Sequence, residues 1–207
     1  LSAGSSSDFS MGTGDFTIEC WVKFDAHDTN VGVFQISDTS GGLKSADYME
    51  TLAVRHTGSA WGSYGGGSGS SHSESPTTDR IVGKWYHVAY VRYDGTTKLY
   101  IDGDERISFS DSYDYDGTYI SIGGYYSTSY LLDGDIANFR VVKGQAVYKT
   151  SFNVPHDPLT QTSQNAHSSK VKLLCCNGST TTASTVTPGT ITANGDPAVT
   201  TNNSIFD

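Results

Sequence analysis

The side chains in this sequence that could recognise a ligand are mainly aromatic. Trp61 and Tyr64 stand in the glycine- and serine-rich segment 58–75, and three tyrosines are grouped in the run YYSTSY at 125–130. Aromatic faces stack on the C–H surfaces of sugar rings, and Tyr and Trp also anchor protein interfaces. The candidate ligand-binding residues are therefore Trp61, Tyr64, Tyr125, Tyr126 and Tyr130. For the last three, glycan stacking, a subunit contact and ordinary packing are all open.

A second group of candidate side chains is acidic. Asp114 and Asp116 lie in the run SDSYDYDG, and Asp133 and Asp135 lie in LDGD. Carboxylate oxygens together with loop carbonyls are the ligands that Ca²⁺ prefers. These four aspartates are candidate calcium ligands, and the alternative is that they are solvated residues of turns.

The overall charge excludes one class of partner. Lys and Arg number 13 against 22 Asp and Glu, which gives a net charge of −9. A nucleic-acid-binding protein needs a basic stripe for its affinity, so we expect no nucleic-acid partner.

The three cysteines at positions 20, 175 and 176 have no metal-ligand spacing. A bridge from Cys20 to one of the other two is open, but buried thiols that pack as small apolar groups are the simpler interpretation.

The elements that must position these residues are predicted to be strands. Every second residue of Phe16–Phe24 is apolar, which is typical of a half-buried strand. Asp94-Gly95 and Asp102-Gly103 between such runs predict hairpin turns. Shorter alternating runs predict further strands at Val31–Ser37, 48–56, Trp85–Tyr93, 98–102, 105–109, 119–123, 135–142 and 170–176. Only residues 145–150 could form about one turn of helix.

Outside these strands, two segments have a loop-like composition. Residues 58–75 are predicted to form a long exposed loop, on which Trp61 and Tyr64 make a contact surface, because large exposed rings mark interaction sites. Trp21 and Trp85 lie within predicted strands and are expected in the core. Residues 177–207 are rich in Thr, Ser and Asn, with 190–193 as one plausible strand. This segment is expected to wrap the sandwich or to link it to a further domain.

The chain carries no sign of a signal peptide or of a membrane span. No run approaches the length of a transmembrane helix, and the N-terminus lacks both a basic and an apolar region. The first residue is not Met, so we expect that a leader was removed or that the chain is a piece of a longer protein.

Four blocks in order resemble a known family: GDFTIECWV at 14–22, KWYHVAYVR at 84–92, KLYIDG at 98–103 and LDGDIANFRVVKG at 132–144. They resemble the laminin-G-like domains of the concanavalin A-like lectin/glucanase superfamily over residues 8–176. Within that family the run VVKGQAVY and the terminal TVTPGTITANGDPAV are most similar to copies in structural proteins of tailed bacteriophages. The resemblance implies a two-sheet antiparallel jelly roll for residues 1–176.

The resemblance also bears on chemistry. Related laminarinase-like enzymes carry their carboxylates as E-x-D-x-x-E, and none of the four Glu here begins that pattern. We therefore expect no enzyme. Laminin-G-like domains often bind calcium, but where many relatives read IDDVR this chain has Ala137 and Asn138, which weakens that one site.

The function expected from the sequence is a non-enzymatic β-sandwich module of a phage virion structural protein, in capsid decoration, a fibre or an appendage. The expected partners are carbohydrate or a host-surface glycan and neighbouring virion subunits, in a homo-oligomer or a larger assembly. The alternative is a secreted bacterial adhesin or lectin domain at the cell surface, and a glycoside hydrolase is the third possibility. The phage hypothesis predicts a location in the virion, and the adhesin hypothesis predicts an extracellular location.

Overall fold

In the computed structural model, which describes residues 1–28, 30–39, 52–67, 70–200 and 205–206, the chain forms two antiparallel β-sheets. The predicted all-β sandwich is confirmed. Single-turn 3-10 helices lie at Ser7–Phe9, Ser163–Asn165 and Ser168–Lys170. The strands are β1 (Ser2–Ala3), β2 (Phe16–Phe24), β3 (Val31–Ser37), β4 (Leu52–His56), β5 (Trp61–Tyr64), β6 (Ser71–Ser73), β7 (Trp85–Tyr93), β8 (Thr96–Ile101), β9 (Asp104–Ser110), β10 (Tyr119–Ile122), β11 (Gly134–Lys143), β12 (Val171–Cys175), β13 (Ser184–Val186) and β14 (Ile191–Thr192).

The two sheets pack face to face around one apolar core. The first sheet has the strand order β14-β1-β10-β3-β4-β5-β6, and the second has the order β13-β12-β11-β2-β7-β8-β9. Phe34 of the first sheet has its ring centroid 5.8 Å from that of Phe139 and 6.3 Å from that of Tyr90, both in the second sheet. The apolar residues of β2 that alternate from Phe16 to Phe24 are buried in the same cluster. Each sheet therefore has an inner face in the core and an outer face.

The strand predictions agree with this structure to within two residues at each end. Strands β2, β3 and β7 have the predicted bounds, and the run predicted at 48–56 ends at His56 as β4, while its first four residues lie outside the described part of the chain. Asp94, Gly95, Asp102 and Gly103 all have positive φ, as expected of tight hairpin turns. Alternation and turn residues are local signals, which is why they located these elements.

The prediction of a long exposed loop at 58–75 is wrong. The segment contains the hairpin of β5 and β6, and β5 pairs with β4. Trp61 at the start of β5 is 1% exposed and packs against Phe24 and Tyr86 in the core. Burial of this ring and the pairing with β4 outweigh the low strand propensity of glycine and serine.

The outer face of the second sheet is covered by residues 144–170, which we call the strap. The Thr17 hydroxyl of β2 accepts a hydrogen bond from Val147 N and donates one to Gln145 O. Ala146 and Tyr148 of the strap pack with Tyr100 of β8. Two predictions are corrected by this layer: β2 is buried on both faces rather than one, and residues 145–150 form no helix because their backbone bonds to the sheet.

The C-terminal segment adds a strand to each sheet. Strand β13 pairs with β12 in the second sheet, and β14 pairs with β1 in the first. Strand β14 lies within the run predicted at 190–193. Residues 177–200 therefore run along both sheets of the sandwich.

Candidate functional site

The candidate site lies on the outer face of the first sheet. Alternation along β4 directs Val54 into the core and Arg55 to the outer face. Along β5 it directs Trp61 inward and Tyr64 outward, since the two residues are three positions apart. The pairing places Arg55 opposite Gly32 of β3 on one side and opposite Gly62 of β5 on the other. Neither glycine places a side chain beside Arg55, and the Arg55 side chain itself lies against Gly62, where a Cβ would stand 3.3 Å from its Nε.

The loop that follows β10 folds back onto this face and carries the other tyrosines. It is held by main-chain hydrogen bonds from Gly123 N to Val33 O (2.8 Å), from Gly32 N to Tyr130 O (3.1 Å) and from Leu132 N to Gly123 O (2.9 Å). A Cβ at Gly32 would stand 2.4 Å from the backbone nitrogen of Tyr125. The close approach of the loop to the sheet therefore depends on glycine at this position.

Four tyrosine rings meet there, in the arrangement that we call the tyrosine face, together with Arg55. The rings of Tyr64 and Tyr125 are stacked with centroids 6.0 Å apart, and those of Tyr125 and Tyr130 and of Tyr126 and Tyr130 are each 5.4 Å apart. Tyr125 is buried, Tyr64 and Tyr130 are half-buried, and Tyr126 is 36% exposed. The structure thus brings together four of the five candidate residues from the sequence.

Tyr126 is held outward by its backbone. Its φ is +65°, and its N–H donates to Oε1 of Gln35 on β3 at 2.8 Å. A non-glycine residue at positive φ is uncommon and is maintained by such surrounding bonds. Burial raises the pKa of the neighbouring Tyr125 phenol, against the opposing charge of Arg55.

Arg55 is the charged group of this face. Its guanidinium carbon lies 5.1 Å from the ring centroid of Tyr64 and 5.8 Å from that of Tyr125. Nη1 donates to Oδ1 of Asn30 at 2.7 Å, and Nε is buried without an acceptor. Arg55 and Asn30 were missed by the sequence analysis, since their place beside the tyrosines depends on pairing between distant strands.

The fifth candidate, Trp61, lies on the opposite side of the same sheet. Its ring is in the core, so the prediction that it forms an exposed contact surface with Tyr64 is wrong. Two residues of β5 that the composition placed on one loop are separated by the thickness of the sheet.

The four aspartates proposed for calcium do not form one cluster. Asp116 accepts a hydrogen bond at its backbone oxygen from Ser10, whereas Asp133 accepts one from Asp25 N beside β2. The carboxylate of Asp135 pairs with Lys23 Nζ at 2.6 Å. Within the described ranges, no group of three or more His, Cys, Asp or Glu side chains is arranged to hold a metal ion.

Asp133 and Asp135 instead line an open groove of about 860 Å³ beside the C-terminal segment. Trp85 also lines this groove and is half-buried, whereas Trp21 is 7% exposed. The expectation of core packing is confirmed for Trp21, and for Trp85 the structure gives a partly exposed ring with Lys23 Nζ 5.8 Å from its centroid.

A buried ion cluster lies under the strap, on the other outer face. Glu19 accepts from Arg140 Nη2 (2.6 Å) and from the Tyr148 hydroxyl (2.8 Å), and its Oε2 is 3.2 Å from His87 Nε2. Burial alone would raise the pKa of Glu19, but the hydrogen bond with His87 and the charge of Arg140 outweigh it and hold the pKa below its usual 4.5. The cluster is closed to ligands, since these side chains of Glu19, His87 and Arg140 are fully buried.

The cysteines are free thiols. Cys20 and Cys175 are buried and Cys176 is half-buried, with the sulfurs of the last two 3.7 Å apart. The interpretation of buried thiols is confirmed for Cys20 and Cys175. Burial raises the pKa of Cys20 well above the usual thiol value.

No helix in the described part of the chain is long and apolar enough to cross a membrane.

No curated protein matches the sequence of this chain.

Comparisons with known families and with solved structures find proteins of similar fold. A candidate carbohydrate-binding protein from Bacteroides ovatus is similar with a TM-score of 0.58 at 15% identity, over 88% of this chain and 51% of that one, so this chain spans about half its length. The CBM40 of the Ruminococcus gnavus IT-sialidase, bound to α2,3-sialyllactose, is similar with a TM-score of 0.52 at 13% identity, over 72% of this chain and 94% of that one. Residues 2–146, more than half of the chain, match the sequence profile of Laminin_G_3. The chain therefore belongs to the concanavalin A-like lectin/glucanases superfamily.

Proposed function

We propose that this domain is a non-catalytic carbohydrate-binding module and that the tyrosine face is its binding surface. The observation that carries the proposal is the gathering of four tyrosine rings on the outer face of the first sheet, two of them in contact with Arg55. Tyrosine rings offer both the apolar surface and the polar hydroxyl groups that a sugar ring requires. The two solved structures of similar fold, a candidate carbohydrate-binding protein and a CBM40 with a bound sialyllactose, support the same class of ligand.

The glutamates support a non-catalytic role. Hydrolysis of a glycosidic bond requires two carboxyl groups facing each other across the substrate. Glu19 is enclosed in the ion cluster, and Glu74 is 4% exposed with Oε1 accepting from Trp61 N and Thr78 N. Glu105 pairs with Lys98 at 2.8 Å on the other sheet. Glu50 lies outside the described residues.

The test is binding of the purified 207-residue chain to a glycan array, followed by titration calorimetry with the best sugar. Tyr126→Ala removes the most exposed ring of the face, and we expect it to weaken binding about tenfold or more. Tyr93→Ala is the matched control, because Tyr93 is 41% exposed and lies on β7 of the second sheet. An array without any bound sugar, or equal losses in the two variants, would contradict the proposal.

The array is also run with calcium and with a chelator. Calcium binding by Asp114 and Asp116 or by Asp133 and Asp135 stays a prediction, and chelator-sensitive binding that is lost in Asp133→Asn or Asp114→Asn would support it. Unchanged binding in chelator would remove calcium from the mechanism.

We further propose that the module belongs to a phage virion structural protein and attaches the particle to host glycans. Neighbouring virion subunits would be its second class of partner. The support is the resemblance of the runs VVKGQAVY and TVTPGTITANGDPAV to such proteins. Antibody against the domain should detect it in purified virions. A domain that is monomeric and missing from virions would favour the alternative, a secreted bacterial adhesin.

A further inference from the structure

Arg55 is a half-buried guanidinium without a counter-charge. No carboxylate of the described residues lies within 4.0 Å of it, and its printed hydrogen bonds go to Asn30 and, at 3.5 Å, to the Tyr125 hydroxyl, both neutral. Placing a cation partly out of water without a paired anion costs free energy, and an anionic ligand that pairs with it would offset this cost.

Two other buried arginines of the chain are neutralised by the fold. Arg140 donates to Glu19 and to Thr160 O, and Arg92 donates to three backbone carbonyls and lies 3.6 Å from Asp111. Arg80 lacks a carboxylate partner, but it is 2% exposed and enclosed in the interior. Arg55 differs because it combines an unpaired charge with a place on an open face.

We infer that the tyrosine face selects sugars that bear a carboxylate and that Arg55 receives this group. The inference rests on the proposed carbohydrate-binding function and specifies its ligand. The rings of Tyr64 and Tyr125 stack on each other and lie beside the guanidinium, with their centroids 5.1 and 5.8 Å from its carbon. They hold it in position, which lowers the entropy lost when it binds. The planar N–H groups of arginine match a carboxylate better than they match a hydroxyl, and the bond is strengthened by charge.

The two parts of the tyrosine face would have different roles in binding such a sugar. Tyr126 and Tyr130 lie next to Tyr125 and present rings on which the body of the sugar stacks. Arg55 lies next to Tyr64 and Tyr125, at 5.1 and 5.8 Å from their ring centroids. A carboxylated sugar seated on the exposed rings would direct its charged group toward Arg55. Hexuronates and sialic acids both carry such a group.

The experiment compares matched sugars on the purified full chain: oligogalacturonate against oligogalactose, sialyllactose against lactose, and a sulfated galactose oligomer as a second anion. We expect the wild type to bind at least one carboxylated sugar about tenfold more tightly than its neutral partner, and the difference to shrink as NaCl is raised. Arg55→Gln should remove the preference and leave the weaker binding of the neutral sugar. Arg55→Lys keeps the charge without the planar group and should retain part of the preference.

Lys149→Gln is the matched control, since it removes one positive charge from an exposed side chain beside Tyr93 on the other sheet. Thermal melts of all variants establish that they are folded. Equal binding of neutral and carboxylated sugars, a preference that persists in Arg55→Gln, or a preference for the sulfated sugar alone would overturn the inference while leaving the proposed function intact. An array blank for every sugar would overturn both.

Discussion

The outer faces of the two sheets place the same type of side chain in opposite situations. Arg140 lies under the strap and is bonded to Glu19 and to strap carbonyls, with no exposed surface. Arg55 lies beside the rings of Tyr64 and Tyr125 on a face that no strap of the described residues covers, with Asn30 as its nearest hydrogen-bond partner. On the outer face of the second sheet, the charge of Arg140 holds the strap. On the outer face of the first sheet, the charge of Arg55 has no carboxylate partner among the described residues.

The difference teaches how an open site can be distinguished from a closed one. The two arginines differ in whether the fold supplies hydrogen-bonding and charged partners to the guanidinium. A partner supplied by the fold gives the arginine a structural role, whereas the proposed ligand is the partner that Arg55 lacks among the described residues.

The largest expected effect on stability comes from replacing Arg140, which lies under the strap. Arg140→Met leaves Glu19 buried without its main positive partner and removes the bonds to the strap, so we expect a loss of about 3–5 kcal/mol in the free energy of unfolding. Urea denaturation followed by tryptophan fluorescence measures it. Lys98→Met, which breaks the partly exposed pair with Glu105, is the control and should cost no more than about 1 kcal/mol. Similar losses in both would contradict the contrast.

The next prediction concerns acid. The pKa of Glu19 is lower in the folded state than its usual 4.5, so the unfolded chain binds the proton more readily. The stability contributed by its charge is present above pH 4.5 and is lost as the pH falls through the lower folded value. The difference in unfolding free energy between the wild type and Glu19→Gln should thus be constant from pH 6 to 8 and should shrink below about pH 4.5. A difference that grows on acidification would show the opposite sign of shift.

A smaller effect is expected on the open face from a single methyl group. In Gly32→Ala the new Cβ would overlap Tyr125 N and the carbonyl carbon of Gly124, at 2.4 and 2.5 Å, and would push the loop off the sheet. We expect a loss of about 1–3 kcal/mol in stability together with weaker sugar binding. Gly4→Ala, whose Cβ meets no atom within 4 Å, is the control and should leave both unchanged. Intact binding in Gly32→Ala would mean that the loop position does not matter.

The smallest effect should come from Arg55→Gln. Because the described residues supply no anion to this guanidinium, its removal should change the free energy of unfolding by no more than about 1 kcal/mol in either direction. The same denaturation experiment that detects Arg140→Met measures it. A loss as large as that of Arg140→Met would give Arg55 a structural role and would end the contrast between the faces.

The sequence predicted the parts of the molecule that depend on local signals. Alternation located β2, β3 and β7, and the pairs Asp94-Gly95 and Asp102-Gly103 located two turns. Tyr125, Tyr126 and Tyr130 were grouped because they are close in the chain. These signals need no knowledge of what packs against them.

The remainder depends on contacts between distant residues. Trp61 and Tyr64 were placed on one loop because glycine and serine dominate the segment, whereas strand pairing sends them to opposite faces. The surroundings of Arg55 depend on its pairing with glycines on two neighbouring strands. The register between two strands cannot be predicted from the sequence of either strand alone. Glu19 looked solvent-facing by alternation, but Arg140 and Tyr148 follow it by more than 100 residues and enclose it.

The loop that bears Tyr125, Tyr126 and Tyr130 is fastened to the sheet by backbone N–H and C=O groups. Every residue type except proline offers those two groups, so the fastening places almost no demand on the side chains that the loop displays. Positions 127–130 can therefore be exchanged while the scaffold stays the same, whereas a residue at position 126 must also adopt a positive φ. The tyrosine face has the properties of a variable surface on a constant frame, and its specificity could be altered by selection from a library at these few positions.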